Sequence, residues 1–331
     1  MSRALALAAA AALAALAAPA VAAPHGKVIT ERFRSAALGV DKSYLVYLPA
    51  GYDASPRTHW PVLYYLHGLG GDETNWTRYG HLDEAADQLG LAAIVVMPDG
   101  DDDFYIDSAM PIDHAACLRD GSGLFLPGHE KRATACVRHR AYETYIVHDL
   151  IADVDAHFRT LQRRDGRAIA GFSMGGYGAL VLAMRHPDLF AAVASHSGVD
   201  SLLYVGPHPY AAGKVQLLAD PKDAARDAGM IGDWLRGLFG PDLAAWKAVD
   251  PTTLVDKLAA GKLAIYLDCG TEDDFRLNDS ASYLHDLLLA KKIDHAFFLG
   301  PGRHDFHFWA ARVPESLRFL QGHVAKPAPA P

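Results

Sequence analysis

With 331 residues, half of them apolar, the chain is long enough to bury a large core as one α/β domain with insertions. Its formal charge of −8 excludes a nucleic-acid partner, because a phosphate-backbone binder needs clustered positive charge.

In chain order, Met1–Arg3 carries one positive charge, Ala4–Ala18 is an Ala/Leu run, and Ala20-Val21-Ala22 follows the break at Pro19. This pattern predicts a secretory signal peptide over residues 1–22, cut after Ala22. The run is too short and too alanine-rich to span a bilayer comfortably, so a membrane anchor is the lesser reading. No later apolar run reaches membrane length, so stable membrane insertion is not expected. The mature chain is expected to be exported, into a periplasm or out of the cell.

Export permits disulfides. Of the three cysteines, Cys117 and Cys136 share one irregular segment and are expected to pair. The pair would close a loop of about twenty residues, worth roughly 3 kcal/mol by chain entropy. Cys269 ends an apolar run and is expected to be a buried small hydrophobe.

Lys27–Ser35 and Asp41–Leu48 read as an antiparallel opening hairpin. Pro61–Leu66 is a continuous apolar run, as in a strand buried on both faces, and leads into His67-Gly68-Leu69-Gly70-Gly71. A short helix over Leu82–Leu89 and a strand over Leu91–Met97 follow, then an acidic, aromatic loop. Residues 109–140 read as an irregular inserted loop, and such stretches are usually functional or disordered. Tyr142–Phe158 is the strongest helix, with a period near 3.6. Arg167–Phe172 is a strand, Met174–Met184 its helix, and Phe190–His196 the next strand.

Residues 197–262, with five prolines, are the least regular block and read as a cap-like variable segment with short helical pieces at Ala244–Ala248 and Thr253–Ala260. Then come a strand over Leu263–Cys269, a helix over Ser280–Lys292 and a strand over His295–Leu299. A closing helix, Phe306–Val324, is expected to be interrupted near Pro314, and residues 324–331 form a disordered Pro/Ala tail. Strands alternating with helices predict an α/β fold: a mostly parallel sheet with helices on both faces and the leading hairpin extending one edge. No repeat or linker divides residues 27–323, which read as one domain.

Gly171-Phe172-Ser173-Met174-Gly175 stands between an apolar strand and a helix. Gly-x-Ser-x-Gly there makes a sharp turn that leaves the serine alone at its apex. A serine needs a base, an orienting acid and an oxyanion site. The loop after Leu263–Cys269 offers Asp273 as the acid, ahead of Asp274 and Glu272. The loop after His295–Leu299 offers His304 as the base, ahead of His307. Position past a strand end carries these choices, since the chain has 17 histidines. The glycines around Leu69 let its N–H point into the site, and the Met174 N–H is the second oxyanion donor.

Three weaker signals remain. Asp99, Asp101, Asp102, Asp103 and Asp107 fit no EF-hand spacing and read as a solvated turn rather than a calcium loop. His114, His129, His139 and His148, with Cys117 and Cys136, lack zinc spacing, so no metal is expected. Phe104, Tyr105 and Trp76 are candidates to line an acyl or aromatic subsite.

Together His67–Gly71, Gly171–Gly176, Gly270-Thr271-Glu272-Asp273 and Gly302-Arg303-His304-Asp305, with Tyr142-Glu143-Thr144-Tyr145, resemble the esterase D / putative esterase family of α/β-hydrolases. That family holds S-formylglutathione hydrolases, feruloyl and acetyl-xylan esterases, and antigen 85 mycolyltransferases. The resemblance covers roughly residues 27–323 and implies an α/β-hydrolase fold and cofactor-free serine acyl chemistry. Taken with the signal-peptide pattern, it implies a secreted serine esterase, with a carbohydrate-linked aryl or acetyl ester as the first substrate expected. Acyl transfer to an alcohol is the alternative, and a non-catalytic surface binding protein on a hydrolase scaffold the least favoured reading. Residues 109–140 and 197–262 depart from the family's pattern and are expected to border the pocket.

Overall fold

The computed structural model describes residues 25–108, 110–128 and 130–329. The signal-peptide reading of residues 1–22 therefore lies outside the described residues, as does His129.

Eight strands form the central sheet: β1 (Lys27–Arg34), β2 (Asp41–Leu48), β3 (Val62–Leu66), β4 (Ile94–Pro98), β5 (Arg167–Phe172), β6 (Ala192–His196), β7 (Ala264–Gly270) and β8 (His295–Gly300). Their order is β1-β2-β4-β3-β5-β6-β7-β8. β1 and β2 pair antiparallel, and β2 joins β4 antiparallel, Tyr44 opposite Pro98. All remaining pairs are parallel. Every residue of β3, β4, β5 and β6 is buried, as their unbroken apolar runs require. Core side chains cluster on both faces, with helices covering each. This is the α/β-hydrolase arrangement, and it aims the ends of β3, β5, β7 and β8 at one edge of the sheet.

Several local expectations are revised. The helix expected over 142–158 is built of Tyr142–Thr144, a wider π-helical segment Tyr145–Leu150, and Ile151–His157. The wide segment turns Tyr145, Ile146, Val147 and Leu150 all into the core. Pro314 does not interrupt the last helix, which runs continuously over Phe306–His323. Val313, Leu317 and Leu320 are buried along it, and that packing offsets a proline cost of about 3 kcal/mol. The tail is docked rather than disordered over its described part: Ala328–Pro329 pairs antiparallel with Thr58–His59.

The cap-like segment contains a helix that composition hides, Pro221–Phe239, kinked at Gly229 where φ is 54°. Its start is nevertheless legible. Asp220 accepts the Lys222 N–H at 2.9 Å and Pro221 opens the first turn. Asp242 and Asp250 cap two short helices, Leu243–Ala248 and Pro251–Leu254, in the same way.

Residues 109–140 hold two short helices, His114–Asp120 and Arg132–Ala135, joined by a Cys117–Cys136 disulfide. Cys117, Leu124, Ala135 and Cys136 form a small core of their own. Replacing both cysteines with serine is expected to cost about 3 kcal/mol in a denaturant titration, because the unfolded chain regains loop freedom. Cys269 is free and buried, as expected.

Candidate active site

Ser173 follows β5 and begins the helix Met174–Arg185. Its backbone has φ 53° and ψ −120°, a region that costs a non-glycine residue roughly 1–3 kcal/mol. The turn holds because Ser173 N–H donates to His196 O at 2.9 Å and Tyr177 N–H donates to Ser173 O at 3.0 Å. A Cβ on Gly171 would enter the Gly175 backbone, and one on Gly175 would enter the Leu66 carbonyl. The two glycines let strand, turn and helix pack at contact distance.

The Ser173 hydroxyl donates to His304 Nε2 at 2.9 Å, and His304 Nδ1–H donates to Asp273 Oδ2 at 2.7 Å. Asp273 is buried, and its other oxygen accepts the N–H groups of Phe275 at 2.9 Å and Leu277 at 3.2 Å. The Cys269 thiol approaches Asp273 Oδ2 at 3.7 Å. The imidazole makes T-shaped contacts with Phe275, at 4.8 Å, and Trp309, at 4.9 Å. The alternatives are engaged elsewhere or exposed: Asp274 lines the cavity but pairs with Arg303, and Glu272 and His307 are exposed.

The loop after β3 packs against the elbow. Trp76 Nε1–H donates to Leu66 O at 3.0 Å and Tyr105 O–H donates to His67 O at 3.0 Å. His67 faces away from Ser173: its Nε2 accepts the Gly100 N–H at 2.8 Å, and its Nδ1–H donates to Gly68 O at 2.9 Å. Gly70 N–H donates to Asp102 Oδ1 at 2.5 Å. Leu69 and Met174 both line the cavity with Ser173. The Met174 N–H belongs to the first turn of its helix, where amides have no acceptor within the helix and carry the positive end of its dipole.

That cavity has a volume of about 1320 Å³. The cap-like segment borders it through Leu202, Leu218, Leu235 and Trp246. Residues 109–140 do not line it among the described residues; they sit behind it, with Phe125 against Trp234 at 5.5 Å. Of the three aromatic candidates, Phe104 lines the cavity, whereas Trp76 and Tyr105 are core props of the loop.

The acidic loop is partnered and, apart from the exposed Asp107, largely buried rather than a solvated turn. Lys42 Nζ lies 2.9 Å from Asp99 and 2.8 Å from Asp101 with no exposed side-chain surface. Arg140 pairs with Asp103 at 2.6 Å, and Asp107 accepts the Thr144 N–H at 3.0 Å. Burial alone would lower the Lys42 pKa, but the Asp101 and Asp99 charges outweigh it and hold the ammonium charged. Burial, aided by the Asp99 charge, pushes the Asp101 carboxyl up to about 7 against the pull of Lys42. Lys42→Met is expected to cost about 3–5 kcal/mol of stability, since it strands buried carboxylates; chemical denaturation would measure it. Among the described residues, no group of three or more His, Cys, Asp or Glu could hold a metal ion.

A second His–Asp pair went unseen in the sequence. His196 Nδ1–H donates to Asp268 at 2.9 Å, both side chains fully buried, with Tyr266 O–H donating to Asp268 at 2.8 Å. The pair exists only through the β6–β7 register, which sets His196 opposite Asp268.

Sheet order and strand-end geometry define an α/β-hydrolase. The profile of the family described as Putative esterase matches residues 35–320, and the chain belongs to that family. The esterase Rv1288 of Mycobacterium tuberculosis is 36% identical over 171 residues, 52% of this chain and 32% of that protein. The chain thus matches about a third of that relative's length. S-formylglutathione hydrolase of Mus musculus is 27% identical over 289 residues, 83% of this chain and 86% of that one. The solved structure of a ferulic acid esterase superposes with TM-score 0.64 at 23% identity, covering 90% of this chain and 98% of that one. That likeness concerns the fold. Among the described residues, no helix is long and apolar enough to cross a membrane.

Proposed function

We propose that the chain is an exported serine esterase in which Ser173, His304 and Asp273 act as a catalytic triad. The observation that carries this reading is the unbroken relay from the Ser173 hydroxyl through His304, at 2.9 Å, to Asp273, at 2.7 Å. Ser173 Oγ attacks the ester carbonyl carbon as its proton passes to His304 Nε2. Asp273 keeps Nδ1 protonated and stabilises the imidazolium. The backbone N–H groups of Leu69 and Met174 receive the oxyanion; one such donor typically contributes about 10²–10³ in rate. His304 then protonates the departing alcohol, and water, activated by His304, releases the acid from the acyl-enzyme.

A carbohydrate-linked aryl or acetyl ester is the substrate proposed, and export argues against a cytosolic S-formylglutathione role. The Cys117–Cys136 disulfide supports an oxidising compartment, and with it the reading of residues 1–22 as a signal peptide. Acyl transfer to an alcohol is the second reading, favoured by a cavity of about 1320 Å³ that has room for an acceptor beside the acyl group. Product analysis with and without added sugar separates the two. A fluorophosphonate probe tests the whole assignment. The wild-type protein is expected to be labelled and Ser173→Ala is not; labelling that survives the substitution, or none at all, overturns it.

A further inference from the structure

One part of the cavity wall gathers around His304. Phe275 packs edge-on against the imidazole at 4.8 Å, and Phe306 meets Tyr79 at 5.2 Å. Arg276 follows Phe275, and Arg78 precedes Tyr79. Both arginines are exposed, and both line the cavity. A proton leaving His304 Nε2 must reach the departing alcohol, so the alcohol lies toward this wall. Phe104, Leu202, Leu218 and Leu235 also line the cavity, and their apolar surface suits the acyl group.

The acids near the two arginines are otherwise engaged. Asp274 is held by Arg303, and Asp72 accepts the Thr74 N–H at 2.8 Å and the Thr74 hydroxyl at 2.6 Å. Among the described residues, neither Arg78 nor Arg276 has an ion-pair partner. Asp72 and Asp274 line the cavity too, but Arg78, Arg276 and the Arg303 that holds Asp274 set three guanidinium groups against these two carboxylates, in a chain of net charge −8. The Arg78 guanidinium also lies 5.2 Å from the centre of the Tyr79 ring. Arg276 also holds a left-handed backbone, φ 58°, that favours glycine or asparagine. Its N–H donates to Asp273 O at 3.0 Å, and its carbonyl accepts the Asp279 N–H at 3.1 Å. The turn that carries Asp273 therefore also fixes where the Arg276 side chain begins.

We propose that Arg78 and Arg276 form an anion subsite for the alcohol part of the ester. The substrate then joins an apolar acyl group to an alcohol bearing a carboxylate or phosphate. This rests on the esterase reading of Ser173. The guanidinium groups are exposed, so their pull is screened within about 8 Å at physiological salt, and the effect falls on KM.

The test compares 4-acetoxybenzoate with its neutral methyl ester, each kcat/KM divided by the ester's own hydroxide rate. At low salt the protein is expected to favour the anion about tenfold, falling to about twofold in 0.5 M NaCl. In Arg78→Gln/Arg276→Gln the ratio is expected to fall to about one through KM. Acetyl esters of 4-hydroxyphenyl phosphate give the phosphate arm, and the larger preference identifies which anion the site takes. No preference in the wild-type protein, or one that survives the double substitution, overturns the subsite. Binding of the product 4-hydroxybenzoate against methyl 4-hydroxybenzoate to Ser173→Ala protein reads the subsite without turnover. Equal affinities there overturn it, whatever the fate of the esterase reading. Failure of both esters with no fluorophosphonate labelling overturns that reading instead.

Discussion

Ser173→Ala is expected to lower kcat on a p-nitrophenyl ester by about 10⁶-fold. The substitution removes the hydroxyl that His304 Nε2 contacts, at 2.9 Å, so no acyl-enzyme can form. What remains is attack by water in a cavity that keeps the proposed Leu69 and Met174 N–H donors, expected to be worth about 10³–10⁴ over bulk water. The fold should be unchanged. Alanine meets the same backbone strain at φ 53° as serine, and the turn is held by backbone bonds to His196 and Tyr177. Steady-state rates with a thermal melt as control decide the matter. A well-folded variant that keeps more than about a hundredth of the activity would show that another group performs the attack.

Asp273→Asn is expected to lower kcat by about 10⁴-fold with little change in KM. Asparagine can still offer an oxygen to the N–H groups of Phe275 and Leu277, so the turn survives. Its amide nitrogen then faces His304 Nδ1, which must become the acceptor. The proton moves to Nε2, and Nε2 can no longer take one from Ser173. Asp274→Asn provides the contrast. Its carboxylate pairs with Arg303 at the surface, where solvent screens the pair, and its rate is expected to stay within about threefold. The arrangement described here fails if the two variants fall together, or if only Asp274→Asn loses activity.

Some of this could be read from residues in order because it is local. A glycine on each side of Ser173 announces a tight strand–turn–helix, and apolar runs before Ser173, Asp273 and His304 place each just past a strand. Asp-Pro pairs at Asp220 and Asp250 announce helix starts as well, but the glycines and charges around them obscured the first. The Pro314 helix and the docked tail misled for the opposite reason. Proline carries a local penalty, and packing of Val313, Leu317 and Leu320, or pairing of Ala328 with His59, outweighs it only when distant elements are present.

The sequence by itself determined the strand-and-helix alternation, the elbow at Ser173, the serine-acid-histidine order and the pairing expected of Cys117 with Cys136. Each depends on backbone preference or chain entropy within a few tens of residues. Only the tertiary structure set Asp273 rather than Asp274 against His304 Nδ1, buried Lys42 between two carboxylates, set His196 against Asp268, and separated Phe104 on the cavity wall from Trp76 and Tyr105 in the core. These outcomes depend on which strands become neighbours and in what register. A hydrogen bond between side chains 31 or 131 positions apart is fixed by that packing, not by any property of the residues in between.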